Sequence, residues 1–359
     1  MRITFICLEW PHEGHVGGVG RYAYRLASAL TALPGVDVTI VTFAGGVPLD
    51  GATLLTIPRP SGRLGRFYGA PLRLRRMIAA TRPDVIHSFG DDWALSSHRG
   101  VPLVRTFLGS SLAEARSSTG LRKFNHYVLA VTERLSSRRA AVKIGIGPDS
   151  VEEFECGDFM PPVTAVHAPE DVSKTDEASV VFIGSYAGRK RGAVVADAVE
   201  AARVTTGREI TLTVVGPPSD AHSWPVGTEH VSGASDADVL KIVNRSWVLM
   251  APSLYEGFGI PTYEALSVGT PVIASSNPGS EYMLTLTEPQ GILQICSDDD
   301  LRGSLAARLT RGPSLEASEE AGRRTAVDRL MTLAAPGRLV DEIYPRARRL
   351  ASIGASRGA

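Results

Sequence analysis

Two glutamates, Glu256 and Glu264, stand with seven residues between them in the segment Ala251-Pro252-Ser253-Leu254-Tyr255-Glu256-Gly257-Phe258-Gly259-Ile260-Pro261-Thr262-Tyr263-Glu264-Ala265-Leu266. Gly257 and Gly259 free the backbone there, so the amides of Phe258, Gly259 and Ile260 can turn toward a ligand. Pro261 suits the first position of a helix, and Gly269 followed by Pro271 suits its end. A helix N-terminus favours anions, and two carboxylates beside it are a poor match for bare phosphate. They do suit hydroxyl groups, because a ribose diol and a sugar ring need hydrogen-bond acceptors and donors together. The plainer alternative is a capped surface helix carrying two solvated glutamates.

Two glycine-rich turns add to this. Gly14-His15-Val16-Gly17-Gly18-Val19-Gly20 lies between a strand and a helix, where amides can approach a diphosphate. Its spacing is not the dinucleotide-binding Gly-x-Gly-x-x-Gly, and by itself it equally fits a flexible turn. Gly184-Ser185-Tyr186-Ala187-Gly188-Arg189-Lys190-Arg191-Gly192 follows another strand and offers three cations, Arg189, Lys190 and Arg191. Any of them can meet an anion; a solvated basic turn is the bland reading. His87-Ser88-Phe89-Gly90-Asp91-Asp92-Trp93 stands at a strand's C-terminal end, where open α/β sheets gather ligands. His87, Asp91, Asp92, Trp93 and His15 are therefore expected to line a ligand cleft. Asp91-Asp92 is not an Asp-x-Asp metal pair, and Asp298-Asp299-Asp300 reads as a helix start, so no metal site is expected.

The elements that must position these residues follow from periodicity. Ile3–Ile6, Val36–Val41, Val85–His87 and Val101–Val104 read as strands in the first half, with Tyr22, Leu26, Ala29, Leu30 and Leu33 as an apolar helical stripe. Ser179–Gly184, Ile210–Gly216 and Pro271–Ala274 read as strands in the second half. Strand–helix–strand alternation predicts parallel sheets covered on both faces. Residues 160–178 are proline-rich and polar without periodicity and read as a linker. The expected division is a Rossmann-like domain over 1–165, a second Rossmann-like domain over 175–335, and a C-terminal helix and tail over 336–359. The helix is expected over Leu339–Leu350, with frayed last residues.

The composition fits a soluble globular protein with sizeable cores, and the length suits two domains: 359 residues, 43% hydrophobic and 21% charged. Lys+Arg and Asp+Glu both number 38, so no whole-chain field attracts nucleic acid. Three scattered cysteines, Cys7, Cys156 and Cys296, argue for reduced thiols and a cytoplasmic setting. The short apolar run after Arg2 does not read as a signal peptide, and no stretch reaches membrane-spanning length. The excess of arginine over lysine points to a GC-rich bacterial genome. Seven arginines and no acidic residue lie between Arg59 and Arg82. That segment suits an anionic membrane or acidic acceptor, but a charged helix face explains it as well and is preferred.

The glutamate segment resembles the motif of retaining GT-B glycosyltransferases of glycosyltransferase family 4, and Glu264-Ala-Leu-Ser-Val-Gly-Thr-Pro-Val-Ile-Ala274 continues the likeness. The resemblance implies two doubly wound Rossmann-like domains facing each other across a cleft, the first (1–165) binding the acceptor, the second (175–335) binding the nucleotide sugar, with the tail (336–359) packing back on the first. It implies transfer from a nucleotide-diphosphate-sugar to a hydroxyl-bearing acceptor, a natural product or a cell-envelope glycan or lipid, with retention and without a metal or other cofactor. By the same resemblance Glu264 holds the ribose hydroxyls, Glu256 lies near the donor sugar, and the Phe258, Gly259 and Ile260 amides contact sugar or phosphate. Gly17 and Gly18 match the family's N-terminal loop, and Gly184 opens the basic turn, in which Lys190 and Arg189 are expected to neutralise the leaving diphosphate and Arg191 to help bind the donor. Two departures stand out: Ser185 occupies the usual arginine position, and Leu108 stands near the usual histidine, for which His12, His15 and His87 are the candidate substitutes. They leave room for a sugar-nucleotide epimerase, a pseudo-glycosyltransferase or an inactive nucleotide-sugar-binding protein on the same fold.

Overall fold

Runs of β-branched residues buried on both faces become parallel strands, because crossover helices cover both sides of such a sheet. In the computed structural model, residues 1–12, 17–62, 65–97, 100–116, 120–163, 172–287 and 291–357 are described. The chain divides into two compact units, Met1–Val163 with Leu333–Ala359, and Thr164–Thr332.

The first unit holds β1 (Arg2–Ile6), α1 (Gly18–Thr31), β2 (Asp37–Phe43), β3 (Ala52–Ile57), α2 (Ala70–Thr81), β4 (Val85–Ser88) and β5 (Leu103–Phe107). It continues with α3 (Ser111–Arg116), α4 (Gly120–Arg139), β6 (Val142–Gly145), α5 (Pro148–Glu153) and β7 (Asp158–Phe159). Its sheet runs β3-β2-β1-β4-β5-β6-β7, with every pairing parallel. The order reverses between β1 and β4, and a crevice opens beyond the strands' carboxyl ends at such a switch point. Gly20 sits in the first turn of α1 because a Cβ there would fall 2.1 Å from the Glu9 carbonyl oxygen, so glycine lets the helix lie against the chain leaving β1.

The second unit holds β8 (Ala178–Ile183), α6 (Gly192–Thr206), β9 (Ile210–Val215), β10 (Glu229–Val231), α7 (Asp236–Arg245) and β11 (Val248–Ala251). After these come α8 (Ile260–Ser267), β12 (Val272–Ser275), α9 (Pro278–Thr287), β13 (Leu293–Cys296), α10 (Leu301–Arg311) and most of α11 (Ala317–Ala334). The strand order is β10-β9-β8-β11-β12-β13, again all parallel, with its reversal between β8 and β11. Valines, alanines and leucines of α6 and α10 fill one face of the sheet against Phe182, Trp224 and Met250.

Several elements escape the periodicity reading. β3, β6 and β7 lie outside the expected strands, as do β10, β11 and β13, because runs of two to six residues seldom show a period. The chain joins the second unit through Lys174, whose ammonium donates to the Ser246 carbonyl at 2.8 Å, and through Thr175, whose carbonyl accepts from the Trp247 indole at 2.7 Å. Residues 164–171 of the expected linker lie outside the described residues. The terminal helix α12 (Tyr344–Arg357) reaches beyond Leu350, through residues expected to fray. A single wider-wound turn, Leu339–Ile343, precedes it, and Arg346 pairs with Asp158 in the first unit. Among the described residues no helix is long and apolar enough to cross a membrane.

The arginine-rich segment forms α2 and the turn before it; Leu74 and Ile78 point into the core while Arg73, Arg75 and Arg76 are exposed. Arg63 and Leu64 lie outside the described residues.

Candidate functional site

At the switch point of the second unit, the loop after β8 meets the loop after β11. Gly184 takes a positive φ of 156°, and a Cβ on it would come within 2.9 Å of the Lys190 side chain. Glycine here therefore makes the passage through which Lys190 crosses the strand end. Gly188–Lys190 forms one tight helical turn, and the Arg189 carbonyl accepts from the Leu254 amide at 2.9 Å, which fastens the two loops together.

The basic triplet separates by direction. Lys190 Nζ lies 2.5 Å from Glu256 Oε1, and Arg189 Nη1 lies 3.3 Å from the same oxygen and 2.8 Å from the Tyr255 carbonyl. Arg191, expected to help bind the donor, adopts a left-handed conformation at the start of α6 and pairs instead with Asp298. Ser185 donates to the Ala187 carbonyl at 2.9 Å, so it closes a local turn and carries no charge into the site. The cations at this strand end are Arg189 and Lys190.

Burial alone would raise the Glu256 carboxyl, but Lys190 and Arg189 outweigh it and hold the group below the usual carboxylate range. Glu256 is thus a fixed anion beside two fixed cations. The loop that carries it is braced from α9. A Cβ on Gly279 would fall 2.7 Å from the Phe258 backbone, and the Gly279 amide donates to the Glu256 carbonyl at 2.8 Å. Asn277 donates to the Ser253 carbonyl at 3.1 Å, and Ser280 donates to the Ser275 carbonyl at 2.7 Å. Sequence reasoning missed Asn277, Gly279 and Ser280; the Ser-Asn-Pro-Gly-Ser run at 276–280 was the available turn signal.

α8 begins at Ile260, one residue before Pro261, after Gly259 with φ of 83°. Its first N–H groups have no acceptor within the helix. The Phe258 ring is anchored inward, edge-on to Tyr263 at 6.0 Å. Glu264, in the second turn, is 5% exposed, and the Glu256 side chain 17%. A capped surface helix with two solvated glutamates is therefore not what this segment forms.

The first unit has a different site at its own switch point. A cavity of about 350 Å³ opens past β1, β4 and β5, lined by Glu9, Asp91, Arg105, Leu108, His126 and Glu133 among others. Of the four expected cleft residues that are described, Asp91 alone stands in this wall. His87 is fully buried, with one ring nitrogen 2.7 Å from the Tyr344 hydroxyl and the other 2.7 Å from Thr106 Oγ1, and it stacks on Phe89. It is a core residue binding β4 to α12. Burial first, and then Arg105, lower its pKa to about 3, so it stays neutral. Asp92 is 2% exposed and faces Arg105 Nε at 3.6 Å beneath the cavity. Trp93 lies to one side, its carbonyl taken by Arg139. His15 and Gly14 lie outside the described residues; Gly17 precedes α1, and Gly18 is its first helical residue. His12 forms a bridge with Gly46, away from this wall. The histidine that shares the cavity with Leu108 is His126 on α4, 3.4 Å from Glu114. Sequence reasoning passed over it because α4 carries no motif.

Residues 16–167 match the family profile Glycosyltransferase Family 4, and residues 166–325 match Glycosyl transferases group 1. The chain is 24% identical over 363 residues to a glycogen synthase of Mycobacterium tuberculosis, covering 86% of this chain and 85% of the relative. Among solved structures it resembles a sucrose-phosphate synthase of Thermosynechococcus elongatus, with TM-score 0.72, 16% identity and coverage of 99% and 98%. It also resembles Anabaena Alr3699/HepE in complex with UDP and glucose, with TM-score 0.66, 15% identity and coverage of 99% and 100%. Both solved neighbours share two Rossmann-like domains of the GT-B type with this chain.

Proposed function

The chain is a GT-B glycosyltransferase of the family 4 type, and we propose that it transfers a sugar with retention from a nucleotide-diphosphate-sugar to a hydroxyl group without a metal ion. The observation that carries this reading is the convergence of Lys190 and Arg189 on Glu256 at the β8–β11 switch point. Breaking an anomeric bond to a diphosphate leaves negative charge on phosphate and positive charge on the sugar. Fixed cations beside a fixed carboxylate match both charges, and their preorganisation lowers the barrier without solvent rearrangement. Lys190 and Arg189 take the role of a metal toward the departing diphosphate. Glu256, kept ionised, faces the sugar, and Glu264 takes the ribose hydroxyls. Same-face attack, with the leaving phosphate accepting the acceptor's proton, accounts for retention.

The uridine nucleotide in the Anabaena neighbour makes UDP the first donor base to try. The acceptor is a hydroxyl-bearing natural product or cell-envelope molecule, bound by the first unit. A cytoplasmic setting belongs to the same reading, supported by three separate free thiols. The test is a thermal-shift screen of UDP, GDP, dTDP and ADP and their sugars, with and without magnesium. One nucleotide family should raise the melting temperature equally in both conditions, by mass action. Glu264→Ala should weaken that nucleotide about tenfold, the order of a lost charge-assisted hydrogen bond. No shift with any nucleotide, or unchanged affinity in Glu264→Ala, would overturn the donor-site assignment.

A further inference from the structure

We propose that the cavity at the β1–β4 switch point binds the acceptor, and that the acceptor is an amino polyol with a protonated amine beside its hydroxyl groups. This rests on the transferase reading above. A cavity of about 350 Å³ lies within the usual range for small-molecule sites, and a strand-order reversal is where open α/β sheets place them.

Among the described residues the wall carries four carboxylates, and three of them are engaged. Glu9 pairs with Arg66 at 3.1 Å, and Glu114 with His126 at 3.4 Å. Glu133 accepts from the Ser111 amide at 3.0 Å and the Ser111 hydroxyl at 2.7 Å. Asp91 differs: no hydrogen bond to its side chain occurs among the described residues, and its backbone is held at φ of 55°. Such strain in a non-glycine residue concentrates at functional sites.

A second, independent group points the same way. Arg105 is 5% exposed, yet its Nε and Nη1 have no hydrogen-bond partner. Phe107 covers one face of the guanidinium at 4.8 Å, and Asp92 stands 3.6 Å from Nε. On the cavity side lies Gly90, where even an added Cβ would stay 3.9 Å from Nη1. A buried donor without a partner is costly, and a ligand oxygen would satisfy it.

The two groups together select the ligand. A neutral polyol would supply an oxygen to Arg105 but bring no positive charge to Asp91. A phosphorylated acceptor would set further negative charge against Glu9, Asp91, Glu114 and Glu133. An amine beside a hydroxyl meets both demands, the amine at Asp91 and the oxygen at Arg105. In keeping with this, burial and then Glu9 push the Asp91 carboxyl up to about 7, with Asp92 adding and Arg66 and Arg105 opposing. Glu133 is likewise pushed up to about 7, chiefly by burial, against Ser111 and Arg105. A bound cation would displace protons from these groups, so its affinity rises as they ionise.

The experiment is calorimetric titration of the UDP-saturated wild-type chain with 1-amino-1-deoxy-D-glucitol, D-glucitol and D-glucitol 6-phosphate. These probes share one skeleton and differ in charge, and the alkylamine stays protonated near neutrality. The amine should bind about tenfold more tightly than D-glucitol, with the phosphate weakest. Its affinity should rise several-fold between about pH 6 and about pH 8, while that of D-glucitol stays flat. Asp91→Asn, which tolerates the left-handed backbone, should bring amine and D-glucitol within about twofold and remove the pH rise. Arg105→Met should weaken both alike. Equal or reversed affinities, no binding of any probe, or a preference that survives Asp91→Asn would overturn the proposal. A UDP thermal shift recorded on the same sample separates the two readings: with it present, such results sink only the amino-polyol inference, and its absence sinks the donor site first.

Discussion

Asp91 and Glu256 occupy matching places in the two units, each just past a strand that flanks the reversal of strand order. Their surroundings are opposite. Glu256 lies within 3.3 Å of both Lys190 and Arg189, which hold it ionised. Asp91 lies among other carboxylates with no hydrogen bond of its own among the described residues, and burial raises it to about 7. The same topology thus yields one compensated anion and one waiting for a partner. The fold supplies the place, and the neighbouring side chains decide which charge the ligand must bring.

The comparison breaks most sharply at Lys190. Lys190→Met should cost about 10² to 10³ in transfer rate, because it removes a preorganised charge from the leaving group. Single-turnover rates at saturating donor would show it, and a loss under about threefold would mean that Arg189 alone carries the role. The Glu256 carboxyl should also rise toward its ordinary value in that variant, which isotope-edited NMR can follow.

Neutralising the two carboxylates should have opposite effects on stability. Glu256→Gln strands two partly buried cations and should destabilise by about 2 kcal/mol near neutral pH. Asp91→Asn removes an uncompensated charge and should stabilise by about 1 to 2 kcal/mol at pH 8. The Asp91 folded value of about 7 lies above its ordinary 3.8, so the folded chain holds the extra proton between these values. Stability from this group is complete below about pH 4 and falls as pH rises to about 7, so the Asn variant should gain progressively across that window and fully above it. Equal signs for the two variants in urea unfolding would remove the contrast.

A smaller effect belongs to His87. Its pKa falls from 6.5 to about 3 on folding, so the unfolded chain binds the extra proton between those values. Its contribution is complete above about pH 6.5 and is lost as pH falls, at no more than about 1.4 kcal/mol per unit. His87→Gln should flatten that acid limb while leaving the Asp91 loss between about pH 4 and about pH 7 unchanged. Melting curves between pH 4 and pH 7 read it directly.

What could be read from the chain and what could not divides along a physical line. The Glu256–Glu264 spacing, the glycines between them and the strand–helix alternation are local properties, and they pointed to the family, to the two-unit architecture and to the segment proposed as the donor site. Arg189 and Lys190 were visible as charges, but separating them from Arg191 took the tight turn at 188–190 and Asp298, which lies more than a hundred residues away. The acceptor side was least legible. His87 and Asp91 stand four residues apart in one strand-end segment with equal claims to a cleft. Tyr344 and Thr106 draw His87 into the core, whereas a left-handed backbone at Asp91 leaves its carboxylate in the cavity wall. Arg105 and His126 reach that wall from elements with no motif at all. Period and spacing act over a few residues, but the charge balance of a pocket is set by side chains that meet only when distant strands pair.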